Sequence, residues 1–123
     1  MASLTRILIV DDEKGITNAL KVGLEHSGFD IDTYNDARAA LSRYEAGMYA
    51  LIVIDIRMPG MNGFELFRAL KKKDASAKIC FLTAFDVYER EFKRLFPKMK
   101  VEGFLRKPIS ISQMASAITK ITG

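Results

Sequence analysis

The sequence contains a single cysteine, Cys80, and a single histidine, His26. One cysteine excludes an internal disulfide framework and any metal site built from several cysteines. No apolar run approaches the roughly 18 residues of a membrane span, and the first six residues lack the apolar core of a signal peptide. We therefore expect a soluble protein of a reducing, cytoplasmic compartment that makes no contact with a membrane.

Internal repeats, low-complexity segments and linker-like runs are also absent from the 123 residues. This length fits one domain of the usual size, about 100–150 residues. The composition, 49% hydrophobic and 28% charged, is that of an ordinary globular protein. We expect a single domain over residues 1–123, with no output domain in the chain.

The net charge of +4 is distributed unevenly along the chain. Residues 1–61 carry a balance of −3, and residues 62–123 carry +7. Such polarity can indicate nucleic acid or an acidic partner, whereas the simpler interpretation is a solvated face of lysines on surface helices. On composition alone we favour the simpler interpretation.

Short apolar runs rich in β-branched residues alternate with helical patterns. The runs are 7–10, 51–54 and 79–82, with weaker candidates at 30–34 and 101–105. Their continuous apolarity is typical of strands covered on both faces of a parallel sheet. Helical spacing follows each run, over 14–27, from a cap at Asn35 to Gly47, after Gly63, over 85–96, and after the Ser110–Gln113 capping-box signature. Five β-α units predict an α/β fold, a three-layer doubly wound sandwich with a parallel sheet.

Polar residues follow four of the five predicted strands. They are Asp11, Asp12 and Glu13, then Asp55, then Thr83, and finally Lys107. Ligands of such sheets lie outside the carboxyl ends of the strands, so these side chains are expected to share one crevice. Oxygen ligands without histidine or cysteine favour a hard cation, and Mg²⁺ fits best. Asp55 could then be a nucleophile that forms an aspartyl-phosphate.

Each of these residues also has a simpler interpretation. Asp12 could cap the first helix, and Asp55 could be a turn residue before Pro59. Thr83 could be structural and Lys107 solvated. Their joint position at four strand ends favours function over chance.

The same residues resemble the receiver domains of response regulators in two-component signalling. Asp11-Asp12, Asp55 with Met58-Pro59 and Gly63, Thr83-Ala84 and Lys107-Pro108 occur in the family's order and close to its usual spacing, from Ile7 to Ile121. The resemblance implies a five-stranded sheet of order 2-1-3-4-5 with five helices. It also implies phosphorylation-dependent signalling by a phosphoprotein that switches its output surface.

The resemblance assigns roles by position. Asp55 matches the phosphoacceptor, which receives a phosphoryl group from a histidine kinase or a histidine phosphotransfer protein. The metal, Mg²⁺ with Mn²⁺ as a substitute, is held by Asp12, Asp55 and the backbone carbonyl of Arg57, and by Asp11 through water. Thr83 and Lys107 match the residues that contact the phosphoryl group, and a cis peptide is expected before Pro108. Phe104 matches the aromatic switch residue that moves with Thr83.

The fourth helix departs from the family pattern, because residues 94–103 replace its usual alanine-rich end. Much of the positive charge lies in 71–73 and 90–107, largely on the presumed output side. This favours an acidic protein partner or plain solvation over direct contact with nucleic acid. The downstream partner is unspecified, and phosphorylation-dependent homodimerisation is one possibility.

Two other functions stay open at this point. The first is a phosphorylation-independent interaction module on a receiver scaffold. The second is an aspartyl-phosphate hydrolase of the haloacid dehalogenase type, although that family places Asp-x-Asp after its first strand. As a receiver, the protein is no conventional enzyme and catalyses only its own phosphotransfer and autodephosphorylation.

Overall fold

A computed structural model describes residues 4–123 and contains five strands that alternate with five helices. The elements are β1 (Arg6–Val10), α1 (Lys14–His26), β2 (Asp30–Tyr34), α2 (Ala37–Arg43), β3 (Leu51–Asp55), α3 (Gly63–Lys73), β4 (Ile79–Thr83), α4 (Val87–Leu95), β5 (Gly103–Arg106) and α5 (Ile111–Thr122). Within these described residues, none of the helices is long and apolar enough to cross a membrane.

The strands form one sheet of order β2-β1-β3-β4-β5, and every neighbouring pair is parallel. The predicted α/β fold, with its five-stranded sheet of order 2-1-3-4-5 and five helices, is therefore confirmed. The fifth strand is placed later than the 101–105 run predicted, at Gly103–Arg106. The order reverses next to β1, which places the ends of β1 and β3 at the centre of the ligand-binding edge.

Two hydrophobic cores lie on opposite faces of the sheet, because successive side chains of a strand point to opposite sides. In β1, Leu8 and Val10 pack with α2, α3 and α4, whereas Ile7 and Ile9 pack with α1 and α5. All four side chains are at most 1% exposed. Covering on both faces explains why the central strands are continuously apolar.

One predicted helix cap is confirmed, one is wrong, and the structure shows a further cap that the sequence analysis did not predict. Ser110 and Gln113 form the predicted capping box of α5, and Asn62 with Glu65 forms another at the start of α3. The prediction that Asn35 caps the second helix is wrong. Asp36 is the N-cap of α2 and accepts a hydrogen bond from the backbone of Arg38. The same helix ends at Arg43, earlier than Gly47, which lies in the following turn.

The atypical fourth helix is held by an aromatic cluster. Phe92 is its one buried residue, and its ring lies 5.1 Å from Phe67 and 5.6 Å from Phe81, measured between ring centroids. Tyr88 and Phe96 are partly buried against the same core. This side of α4 therefore faces the core. Val87 and Leu95 are about half exposed on the other side of the helix.

Candidate functional site

Five of the seven predicted site residues, all except Asp11 and Phe104, line one cavity at the carboxyl ends of the strands. Its volume is about 360 Å³. The cavity is lined by Asp12, Glu13, Asp55, Arg57, Thr83, Ala84, Phe85 and Lys107. Residues from the ends of β1, β3, β4 and β5 thus come together, although they are far apart in the sequence.

Three carboxylates form an acidic cluster on one side of this cavity. Asp11, Asp12 and Asp55 each offer an oxygen atom, and these atoms lie within 4.8 Å of one another. Asp11 is completely buried and Asp55 is 6% exposed, while Asp12 is partly exposed. Three negative charges at this distance repel one another unless a cation lies among them. The all-oxygen donor set suits Mg²⁺, so the residues present fit the ion that the sequence predicts.

Lys107 places a positive charge in contact with the acidic cluster. Its Nζ atom lies 2.8 Å from Oδ2 of Asp11 and 3.2 Å from Oδ1 of Asp55. Glu13, at the rim, is further away at 3.7 Å. The Lys107–Pro108 peptide is cis, as the resemblance implies. The amine therefore bridges the ends of β1 and β3 from the end of β5.

The electrostatics of the cluster are unbalanced. Burial raises the pKa of Asp55 to about 6, the neighbouring Asp11 and Asp12 charges also raise it, and Lys107 opposes the rise. Burial alone lowers the pKa of Lys107, but contact with Asp11 and Asp55 outweighs this and raises it above its ordinary value. Lys107 therefore stays charged at neutral pH, and one ammonium group does not offset the charge of three carboxylates.

Thr83 and Phe104 lie on the neighbouring strands β4 and β5, where Thr83 pairs with Arg106 and Phe104 pairs with Phe81. Thr83 is 3% exposed, and its hydroxyl oxygen accepts a hydrogen bond from the backbone N–H of Phe85 at 3.1 Å. Phe104 is partly buried, with its ring centroid 5.4 Å from that of Phe81. Its ring faces the core beneath α4. Phe104 also lies 5.7 Å from Phe92 of α4 between ring centroids, so its ring connects β5 with α4.

The simpler interpretation of Asp12 as a helix cap is wrong. Glu13 is the N-cap of α1, and no side chain provides a capping hydrogen bond there. The Asp12 carboxylate is thus free of the helix end and lines the cavity.

Arg57 is exposed, and its guanidinium lies 5.2 Å from the centroid of the Phe85 ring at the mouth of the cavity.

Comparison with known proteins identifies the fold family. Residues 7–119 match the family model of the response regulator receiver domain. The chain belongs to this family. The match includes the five strands except the first residue of β1, and it ends at residue 119 within α5, so it covers the sheet and the site at its edge.

Curated relatives and solved structures agree with the receiver assignment. The chain is 33% identical over 116 residues to the alkaline phosphatase synthesis transcriptional regulatory protein PhoP of Bacillus subtilis, which covers 94% of this chain and 48% of that protein. It is 30% identical over 115 residues to the transcriptional regulatory protein PcoR of Escherichia coli, which covers 94% of this chain and 50% of that protein. The chain thus spans about half the length of these curated relatives.

One solved structure bears on the site as well as the fold. The response regulator TrrA of Thermotoga maritima, in complex with Mg²⁺ and a beryllium fluoride, has a TM-score of 0.83 and 32% identity to this chain. The match covers 96% of this chain and 99% of that one. Receiver domains of response regulators interact with histidine kinases or phosphotransfer proteins. The chain therefore belongs to a class of signalling proteins.

Two residues make contacts near the site that the sequence did not predict. Gly63 begins α3, and its N–H donates to the carbonyl of Ile56 at 2.8 Å. A Cβ atom at Gly63 would lie 2.5 Å from the carbonyl oxygen of Asp55 and 2.7 Å from Cα of Ile56. Asn35, which directly follows β2, binds the backbone of the β1–α1 loop. The signal that could have identified Asn35 is its position directly after the carboxyl end of β2.

We predict that Gly63→Ala distorts the loop that follows Asp55. The new methyl group meets backbone atoms, which cannot rotate away as a side chain can, so the loop or β3 must shift. A loss of about 2 kcal/mol in the free energy of unfolding is expected from such overpacking. Gly15→Ala in α1 is the matched control, because a Cβ there meets nothing within 4 Å. Equal stability of the two variants in urea denaturation would contradict this account.

Proposed function

We propose that this receiver domain accepts a phosphoryl group on Asp55 in a Mg²⁺-dependent reaction and thereby switches its output surface. The observation that carries the proposal is the placement of Asp55. Its carboxylate is almost completely buried, lies 3.2 Å from the Lys107 amine, and opens onto a cavity shared with two further acids. These parts correspond to a nucleophile, a compact cation and a metal site.

The proposed transfer is a displacement at phosphorus. An oxygen of the Asp55 carboxylate forms a bond to the phosphorus of a phosphohistidine, and the phosphorus–nitrogen bond of the donor breaks. The electron pair of that bond stays on the imidazole, which is the leaving group. Lys107 neutralises charge on the phosphoryl oxygens as the new bond forms.

The metal is assigned to the acidic cluster. Asp12, Asp55 and the backbone carbonyl of Arg57 would hold Mg²⁺, with Asp11 acting through water. When bound, Mg²⁺ supplies positive charge that the transferring phosphoryl oxygens and the three carboxylates share. Asp11 also has a role of its own, because its carboxylate contacts Lys107 at 2.8 Å and fixes the position of that amine.

The proposed switch uses Thr83 and Phe104. A phosphoryl group at Asp55 adds charge and strong hydrogen-bond acceptors, which attract the Thr83 hydroxyl. Thr83 ends β4, and Phe104 lies in the neighbouring β5 with its ring against Phe81 and Phe92. Movement of Thr83 would therefore be transmitted to α4. A bound partner that distinguishes the two arrangements shifts the population between them.

Thr83→Ala separates phosphorylation from switching. We expect the variant to become modified at Asp55 at a rate within about tenfold of the wild type, because the nucleophile and Lys107 remain. The chemical shifts of α4 residues, measured by NMR with beryllofluoride, should change much less than in the wild type. Thr83→Ser is the matched control and should respond normally. A full response in Thr83→Ala would show that the switch assignment is wrong.

Two alternatives are distinguished by one experiment. Incubation with Mg²⁺ and acetyl phosphate should give a single phosphoryl adduct in the wild type and none in Asp55→Asn. Continuous turnover of several phosphoesters would instead support a hydrolase. Absence of any Mg²⁺-dependent response would support an interaction module that does not depend on phosphorylation.

The partners of the domain are part of the proposal. A histidine kinase or histidine phosphotransfer protein supplies the phosphoryl group, and a downstream protein reads the switched surface. Homodimerisation on phosphorylation stays a prediction, which sedimentation of the beryllofluoride-treated protein tests. The whole length of the chain, 1–123, is proposed to act as one receiver domain.

A further inference from the structure

Strand β2 provides no ligand to the acidic cluster, yet the residue that follows it reaches the site. The Nδ2 atom of Asn35 donates to the backbone carbonyl of Asp11 at 2.8 Å and to the hydroxyl oxygen of Thr17, also at 2.8 Å. A carbonyl oxygen can only accept a hydrogen bond, so it must face the NH₂ group of the amide. Asn35 is partly buried, and Thr17 is 1% exposed.

The carbonyl that Asn35 binds belongs to the peptide group that joins Asp11 to Asp12. The next peptide group, between Asp12 and Glu13, is also held, because its N–H donates to Oδ1 of Asp11 at 3.0 Å. Both peptide groups that flank Asp12 are thus fixed by side chains. The N–H of Asp11 donates to the carbonyl of Tyr34 at 3.1 Å and anchors the start of the loop to β2.

Thr17 fixes the amide of Asn35 from the other side. Its hydroxyl donates to the backbone carbonyl of Lys14 at 3.2 Å, while its oxygen accepts from Asn35. Within the described residues, these two contacts give the NH₂ group both of its acceptors. Thr17 of α1 therefore determines the orientation of the Asn35 amide, and the amide in turn fixes the direction of the Asp11 carbonyl.

We propose that Asn35 is a positioning residue that orients Asp12 for the divalent cation, with Thr17 holding Asn35 in place. This inference rests on the proposed metal site and adds a residue to it that touches no ligand atom. Residues that hydrogen-bond to the groups around a metal ligand raise the metal affinity by fixing the direction of that ligand. Both contacts use the NH₂ group of Asn35, so the role depends on the hydrogen-bond donors of the amide.

The test measures metal binding directly and does not depend on phosphotransfer. Mn²⁺ is titrated into the protein and the free ion is followed by electron paramagnetic resonance, and Mg²⁺ binding is measured by calorimetry. We expect Asn35→Ala to bind either ion about tenfold more weakly than the wild type. Thr17→Val keeps the shape of the side chain, loses the hydroxyl and should weaken binding by a smaller factor, while Thr17→Ser should bind normally.

Asp36→Ala is the matched control. It removes the exposed N-cap of α2 beside Asn35 and lowers stability, but it breaks no contact with the β1–α1 loop. Its metal affinity should stay within about twofold of the wild type, since a residue outside the ligand set affects binding only through contact with the loop that carries the ligands. Urea denaturation of all variants shows whether affinity follows stability or follows the contact to Asp11.

The outcomes separate this inference from the proposed function. Normal metal binding by the wild type, Asn35→Ala and Thr17→Val would overturn the role of Asn35 and leave the metal site in place. Equal losses in Asn35→Ala and Asp36→Ala would also overturn it, because affinity would then follow stability alone. A wild type that binds neither ion would overturn the proposed metal site and this inference together. If Asn35→Ala does not fold, Thr17→Val against Thr17→Ser decides.

Discussion

Asp55→Asn raises the free energy of unfolding at neutral pH when Mg²⁺ is absent. The pKa of Asp55 is about 6 in the folded state, against an ordinary value of 3.8, because of burial and the nearby Asp11 and Asp12 charges. Each pKa unit corresponds to about 1.4 kcal/mol, so removing the charge should stabilise the protein by about 2–3 kcal/mol. Guanidinium denaturation of both proteins in a chelating buffer measures the difference.

The sign of the pH dependence follows from proton binding. Between the unfolded value of 3.8 and the folded value of about 6, the folded wild type holds more protons than the unfolded chain. Its stability from this group is therefore fully present below pH 3.8 and is lost as the pH rises through about 6. The advantage of Asp55→Asn should be small near pH 4 and largest above pH 6.

Two controls belong with this stability prediction. Glu45→Gln removes an exposed carboxylate and should change stability by less than about 0.5 kcal/mol at every pH. Saturating Mg²⁺ should stabilise the wild type selectively and reduce the difference in unfolding free energy between Asp55→Asn and the wild type, because a ligand of the folded state adds to its stability. If this difference does not depend on pH or on Mg²⁺, charge repulsion in the cluster is not its cause.

Lys107→Met has the opposite effect on stability and removes the proposed chemistry. The variant keeps an unbranched side chain of similar length but leaves Asp11, completely buried, without its contact at 2.8 Å. Removal of one partner from a buried charge pair is strongly destabilising, and for this partly buried lysine we expect about 2 kcal/mol. The rate of modification by acetyl phosphate should fall about a hundredfold, since one electrostatic contact to the phosphoryl group is lost.

Lys120→Met in α5 is the matched control for the lysine, because that side chain is exposed and lies away from the cavity. The double variant of Asp55→Asn with Lys107→Met gives the coupling between the two groups. It should be more stable than the sum of the two single effects predicts, because loss of Lys107 costs less once the Asp55 charge in contact with it is gone. Strict additivity would contradict the ion pair.

The sequence predicted the sheet well because its signals are local and strong. Continuous apolar runs at Ile7–Val10, Leu51–Ile54 and Ile79–Leu82 occur only where both faces are covered, and all of these positions are at most 1% exposed. The site residues could be grouped because the ends of parallel strands meet at one edge. The fifth strand has a weaker apolar pattern, because it lies at the edge of the sheet and its residues are partly buried or exposed.

The features that the sequence did not predict depend on contacts between distant segments. Asn35 was assigned to a helix cap by its type, but its amide binds the Asp11 carbonyl, 24 positions earlier in the chain. Asp36 could cap α2 equally well, and local preference cannot choose between neighbouring Asn and Asp. The burial of Phe92 depends on rings from α3 and β4, so the orientation of α4 also required the structure.

The central claim is that Asp55 is the residue that accepts the phosphoryl group. The most direct test treats the protein with acetyl phosphate and Mg²⁺, reduces the acyl phosphate with borohydride, and locates the resulting homoserine by peptide mass spectrometry. The account predicts homoserine at position 55 alone, and none when Mg²⁺ is chelated. Homoserine at Asp11 or Asp12, or no reduction product with Mg²⁺ present, would contradict it.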